Sequence, residues 1–287
     1  MAENIKVVFI DTANNSKKHH CYDPDRDRFF EVDSLKELKD YDEIYIDSSI
    51  FPNMWSDLRQ LIAMGKKVYY FRRPWKWREL RDRYADDLKI RFGKKKTDHG
   101  DSYILSKIPR NWKWFRQITY MDIEIKPLLS LEKILYKSYQ RLVSAGSIGV
   151  GASTEIDEVK ENISRIRSEV VRKASEIIPR FDEVAKKLEL EDSINGLYSL
   201  AGVLVYLGYP EMIIPYHYSL RFLGLYKVRS AGGRRLKHIQ GNARRLFLIF
   251  AEAVAKKRDD IWPPNYRYQR GLLRELINLL RQVRGPT

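Results

Sequence analysis

Six consecutive residues, Lys96-Thr97-Asp98-His99-Gly100-Asp101, stand at the mouth of an apolar run, Tyr103 to Ile108, that reads as a helix. Thr97 or Asp98 can cap it, and Asp98 and Asp101, three residues apart, then share one helix face. Carboxylates so placed repel each other unless a cation sits between them, which is a metal-site geometry. Asp-x-x-Asp at a helix start also serves as a cap plus a charge favoured by the helix dipole, so the chemistry depends on acids delivered from elsewhere. Two apolar runs supply them: Ile5 to Ile10 ends in Asp11, and Glu43-Ile44-Tyr45-Ile46 ends in Asp47. Four carboxylates are costly together without cations. With two Mg²⁺ (or Mn²⁺) they form a clamp that activates an attacking oxygen and stabilises a leaving one. Asp11, Asp47, Asp98 and Asp101 are therefore the candidate catalytic and metal-ligating residues. His19, His20 and His99 are read as polar surface residues that could assist.

The elements that must position these acids follow in order. Ile5 to Ile10 is a buried strand, residues 28–33 a second, and Ser34 can cap a short helix through Leu38. The run before Asp47 repeats the first pattern. Pro52 to Met64 reads as a helix stopped by Gly65, and Lys67 to Phe71 as another strand. Strand, helix, strand is the grammar of a parallel α/β sheet, whose ligand sites lie beyond the carboxyl ends of its strands.

Two echoing segments follow: Arg72-Arg73-Pro74-Trp75-Lys76-Trp77-Arg78, and Arg110-Asn111-Trp112-Lys113-Trp114-Phe115-Arg116 after the acidic helix. Interleaved indoles and cations suit stacking on bases and contact with phosphates. Equally, one Trp of each pair packs inward while the cations face water. With Lys94, Lys95 and Lys96, the cations and indoles Arg72, Arg73, Trp75, Lys76, Trp77, Arg78, Arg110 and Lys113 are candidate nucleic-acid contacts.

From Leu128 the texture becomes helical, broken by Gly146, Gly149 and Gly151. Ile156, Val159, Ile163, Ile166 and Val170 then recur nearly as a heptad stripe to Ile177, with most other positions charged. A helical hairpin or a dimerising coiled coil fits this pattern. The remainder, 190–287, is helical in tone, interrupted by a basic, glycine-broken loop from Lys227 to Arg245. There Ser230 precedes Gly232 and Gly233, and Arg229, Arg234, Arg235, Lys237, Asn242, Arg244 and Arg245 are candidate nucleic-acid contacts. On residue chemistry alone the simpler reading is an ordinary surface loop with Ser230 as a helix cap or turn residue. The expected organisation is an α/β domain over 1–125, a helical linker or coiled coil over 126–188, and an all-α domain over 189–287.

The 287-residue chain carries 53 Lys+Arg against 38 Asp+Glu, a net charge of +15, which points to a polyanionic partner, nucleic acid first. An anionic membrane surface competes, but the longest apolar run, around Gly202 to Tyr209, is too short to span a bilayer. Met1-Ala2-Glu3-Asn4 lacks a basic secretory n-region, so a cytoplasmic location is expected. Cys21 is the single cysteine, excluding an internal disulfide framework and a cysteine-based zinc site.

Taken in order, Asp11, Asp47 and Lys96-Thr97-Asp98-x-x-Asp101 resemble the RuvC-like domain of the DEDD transposases of insertion-sequence family 110. Leu200-Ala201-Gly202-Val203 to Gly208 is similar to that family's helical glycine motif, and Phe222-Leu223-Gly224-Leu225 to its next segment. Ser230-x-Gly232 with Ile239-x-Gly241-Asn242-x-x-Arg245 is similar to its serine motif. The family usually has Glu where this chain has Asp47, and Ser199-Leu200-Ala201-Gly202 replaces its usual glycine hairpin. The resemblance implies an RNase H/RuvC-like mixed sheet with flanking helices and a transposase that recombines DNA strands. It also implies Mg²⁺ or Mn²⁺ on the four acids, and Ser230 attacking a DNA phosphate in trans within a homodimer or tetramer, directed by a structured guide RNA. A RuvC-like nuclease resolving four-way Holliday junctions, and a catalytically inactive nucleic-acid-binding protein, are the alternatives.

Overall fold

The computed structural model describes residues 5–13, 17–47, 54–94, 96–146, 153–209, 215–225, 240–260 and 263–284. The chain divides into two units, Met1–Ile123 and Glu124–Thr287.

The first unit is a mixed six-stranded sheet in the order β3-β2-β1-β4-β5-β6. Its strands are β1 (Val7–Asp11), β2 (His19–Asp23), β3 (Arg28–Val32), β4 (Glu43–Ile46), β5 (Lys67–Phe71) and β6 (Phe115–Gln117). β1, β4 and β5 run parallel, while β2, β3 and β6 pair antiparallel to their neighbours. Its helices are α1 (Trp55–Ala63), α2 (Trp77–Arg83), α3 (Ala85–Phe92), α4 (Asp98–Ser106) and α5 (Tyr120–Glu124), the last reaching the first residue of the second unit.

β1 is apolar at every position but its last because both of its faces are covered. Val8, Ile10, Cys21, Ile44, Ile46 and Val68 face one core, closed by Leu35, Leu38, Leu58 and Leu61. Val7, Phe9, Tyr22, Tyr45 and Phe71 face the other, closed by Leu80 of α2, Leu88 of α3 and Tyr103 to Leu105 of α4. Ser34 forms a capping box with Glu37 at the turn Leu35–Leu38. Gly65, at φ +77°, follows the end of α1 in the left-handed region open to glycine.

The sequence reading passed over two strands. β2 hides in the polar-looking His19-His20-Cys21-Tyr22-Asp23, where Asp23 then closes the hairpin turn by accepting from the N–H groups of Asp25 and Arg26. β6 has only three residues.

The described elements of the second unit are helices: α6 (Lys126–Gly146), α7 (Ser153–Ile177), α8 (Phe181–Lys187), α9 (Ile194–Leu207), α10 (Tyr216–Phe222), α11 (Gly241–Lys257) and α12 (Tyr266–Arg284). α6 and α7 pack on each other, and α9 packs on α7 and α11. Ile163, Ile166, Val170 and Ala174 form the buried stripe of α7. At the centre, Glu132 is fully buried; its Oε1 accepts from Arg167 Nε at 3.1 Å and Nη2 at 2.6 Å, and its Oε2 from Arg245 Nη2 at 2.8 Å. Arg245 also donates to the Tyr198 hydroxyl, so α6, α7, α9 and α11 share one polar cluster.

Candidate functional site

Side chains alternate across a strand, so Asp11 points to the same face as Val7 and Phe9, the face covered by α4. Asp47 directly follows β4, where its N–H donates to the Ile10 carbonyl at 3.0 Å and extends the parallel ladder. Two neighbouring strand ends thereby set two carboxylates side by side. Asp47 accepts from the Thr12 N–H at 2.8 Å and from its hydroxyl at 2.7 Å, which fixes the carboxylate on the β1 end.

The third acid arrives from above. Thr97 caps α4 by accepting from the Gly100 N–H at 2.7 Å, and Asp101, one turn in, is 7% exposed. Its carboxylate is gripped by Arg81 of α2 through Nε at 2.9 Å and through Nη2. The Arg81 guanidinium also lies over the Trp77 ring, 5.5 Å from its centroid.

Burial first, and then the charges of Asp47 and Asp101, push the Asp11 carboxyl up to about 9. Burial raises the Asp47 carboxyl as well, and the two carboxyls share a hydrogen bond, so the metal-free pair keeps a proton at neutral pH. A carboxyl held this high by burial and by facing carboxylates marks a site where gathered acids lack water to spread their charge. An all-oxygen donor set of this kind fits a hard divalent cation. Asp98 differs: its exposed carboxylate lies 3.5 Å from His20 Nε2.

Next to these acids lies a feature that reading the sequence as isolated motifs did not assemble. Asp11 pairs in register with His20, and His20 with Glu31. All three face α4, which brings His99 over them. His20 Nδ1 is 3.4 Å and His99 Nε2 3.9 Å from Glu31 Oε1. His20 and His99 are thus half-buried members of a cluster. Burial and the proximity of His20 hold the His99 imidazole below its ordinary value. His19 is buried on the opposite face, its Nδ1 accepting from the Ala13 N–H at 3.0 Å.

The echoing tryptophan segments come together at the ends of β5 and β6. Trp77 and Trp114 lie against Phe71, with ring centroids 5.1 and 6.2 Å away, while Trp75 and Trp112 are 63% and 40% exposed. Arg72 donates to the Trp112 carbonyl at 2.6 Å, and Arg73 lies over the Trp114 ring. Lys76 pairs with Glu79, and Arg110 lies 3.9 Å from Glu43, while Arg78, Lys94, Lys96 and Lys113 are exposed. Lys95 lies outside the described residues.

In the second unit, Arg244 donates to the Leu223 and Gly224 carbonyls at 2.9 and 2.7 Å, Arg245 belongs to the Glu132 cluster, and Asn242 donates to the Tyr206 hydroxyl. These three side chains hold helices together. Arg229, Ser230, Arg234, Arg235 and Lys237 lie outside the described residues. A cleft of about 700 Å³ that the sequence did not suggest is lined by Tyr216, Tyr266, Arg267, Arg270 and Arg274, again cations with aromatic rings. The signal for it was the Arg repeat at three- and four-residue spacing on α12.

No protein-family model matches this chain, and no curated protein matches it. No helix among the described residues is long and apolar enough to cross a membrane.

Proposed function

We propose that the chain is a metal-dependent enzyme that cleaves and transfers DNA strands, a transposase or recombinase of the DEDD type. The observation that carries this reading is the gathering of Asp11, Asp47 and Asp101, from two neighbouring strand ends and a capped helix, with the Asp11 proton held up to about 9. A mixed sheet flanked by helices agrees with the RuvC-like architecture that the resemblance implies.

Asp11, Asp47 and Asp101 would hold Mg²⁺ or Mn²⁺, which supplies Lewis-acid activation of a phosphate and of the attacking oxygen. Thr12 orients Asp47. Arg81 neutralises Asp101 and sets its direction. Asp98 stands at the exposed rim, where a fourth carboxylate can meet solvent or substrate. The +15 charge draws the DNA backbone toward an acidic spot that would otherwise repel it, and exposed Trp75 and Trp112 offer stacking surfaces. Strand transfer by Ser230 in trans within a homodimer or tetramer, directed by a structured RNA, belongs to the same proposal and rests on the resemblance of the serine motif.

Cleavage of a labelled four-way junction and of a matched linear duplex, with Mg²⁺ or Mn²⁺, tests the reading on wild type, Asp11→Ala and Ser230→Ala. A product covalently attached to the protein that needs both residues supports the recombinase. Junction cleavage lost only in Asp11→Ala replaces it with a resolving endonuclease. Calorimetry without any Mg²⁺ or Mn²⁺ binding that depends on Asp11 and Asp101 refutes both enzymes.

A further inference from the structure

We propose that His20, Glu31 and His99 form a separate binding site for a divalent transition cation of the zinc class, adjoining the aspartate cluster but not part of it. One donor atom from each of the three lies within 4.8 Å of the others. The two separations from Glu31 Oε1, 3.4 Å to His20 Nδ1 and 3.9 Å to His99 Nε2, compare with about 3.4 Å between ligands of a tetrahedral site with bonds of about 2.1 Å. The remaining separation, between the two imidazole nitrogens, reaches up to 4.8 Å, so closing the site around an ion brings the two rings together by more than an ångström through side-chain rotation.

Each donor comes from a different, fixed element. His20 and Glu31 are register partners on β2 and β3, and His99 is in the first turn of α4, whose start is pinned by the Thr97 cap. The His20 and His99 rings meet edge-on with centroids 4.8 Å apart, and Phe29 packs 5.6 Å from His99. His20 Nδ1, the nitrogen that faces Glu31, is buried and makes no hydrogen bond. A buried imidazole nitrogen facing a carboxylate without a hydrogen bond is the arrangement a cation completes.

For His20 the second coordination sphere is already in place. Asp98 Oδ2 lies 3.5 Å from His20 Nε2, the nitrogen that would stay protonated when Nδ1 binds metal. Carboxylate–histidine–metal relays of this kind fix the tautomer and orientation of the ligand. Two imidazoles and one carboxylate favour Zn²⁺, Co²⁺ or Ni²⁺ over Mg²⁺, whereas the oxygen-only Asp11, Asp47 and Asp101 favour Mg²⁺. Three protein ligands also leave one coordination position for water or a phosphate oxygen.

The test is titration of the metal-free full chain with Co²⁺, reading the visible ligand-field bands of four-coordinate cobalt and their loss on adding Zn²⁺. One Co²⁺ per chain with these bands is expected in wild type and in Asp11→Asn, unaffected by excess Mg²⁺. Glu31→Gln and His99→Gln should abolish the bands while melting cooperatively, and Asp98→Asn should weaken binding by about tenfold or more. Absence of the bands in wild type, or their survival in both Glu31→Gln and His99→Gln, overturns the proposal. Because the cobalt bands require neither DNA nor bound Mg²⁺, this readout is independent of whether the chain cleaves strands.

Discussion

Arg81 grips both carboxylate oxygens of Asp101 while its guanidinium rests on Trp77. This ties α2 to the acidic helix and gives Asp101 a counter-charge that a metal ion must share or displace. Arg81→Gln leaves a nearly buried carboxylate unpaired and should cost about 3 kcal/mol in the absence of divalent ions. Thermal unfolding in EDTA and in rising Mg²⁺ checks this: the variant's midpoint should climb more steeply with Mg²⁺ than the wild-type midpoint.

Asp11 gives the pH dependence of the metal-free protein. Its folded value of about 9 lies above the ordinary aspartate value of 3.8, so between these the folded state binds more protons than the unfolded state. Stability should fall as pH rises through that window, by up to about 1.4 kcal/mol per pH unit from this group. Asp11→Asn should flatten the dependence and stabilise the chain in EDTA at pH 8 while abolishing Mg²⁺ binding. Urea unfolding at pH 5 to 9 measures it, and a steeper slope in the variant would contradict the assignment.

Thr12→Val removes the hydroxyl that donates to Asp47 but leaves the backbone N–H in place. Loss of one hydrogen bond to a carboxylate should cost about 1.5–3 kcal/mol. If Asp47 binds metal, the Mg²⁺ affinity measured by calorimetry should also fall.

Trp75 tests the nucleic-acid surface. Trp75→Ala should weaken single-stranded DNA binding by about 1–3 kcal/mol, the scale of one stacked base, with little change in melting temperature. Trp77→Ala should do the reverse, since Trp77 lies against Phe71. Fluorescence anisotropy with a labelled oligonucleotide separates the two.

Glu132 carries a second pH signature, of opposite sign. Burial works to raise its pKa, but the hydrogen bonds and charges of Arg245 and Arg167 outweigh it and hold the carboxyl below its ordinary value. Its contribution is present above the unfolded value of about 4.5 and is lost as pH falls through the folded one. Glu132→Leu leaves two arginines without their shared partner and should cost about 3 kcal/mol at pH 7. The deficit should shrink as pH falls below 4.5 in a urea series.

Much of the first unit was legible because its signals are local. The apolar runs before Asp11 and Asp47, the glycine after α1, and the Ser34 and Thr97 caps each act within a few residues. β2 was not legible: its inward residues are His19 and Cys21 on one face and Tyr22 on the other, so no aliphatic run announces it. α2 and α3 each bury a single leucine beneath a dense array of charges. Arg81 looked like any other cation in an arginine-rich stretch, since only the approach of α4 gives it a partner. The grouping of His20, Glu31 and His99 is likewise a product of strand register and helix placement. Pairing residues across the turn between Asp23 and Arg28 would have set His20 opposite Glu31, but that step requires β2 first. Arg244 and Arg245 looked like phosphate contacts because composition records charge and not the carbonyls and carboxylate that receive it.

The carboxylate of Glu132 is held in common by side chains from α7 and α11, on a helix that is itself half of the pair α6 and α7. Opening any one of these helices strands a charge in the others. In amide hydrogen exchange α6, α7, α9 and α11 should therefore exchange as one cooperative block, with shared protection, instead of the paired helices opening ahead of the bundle.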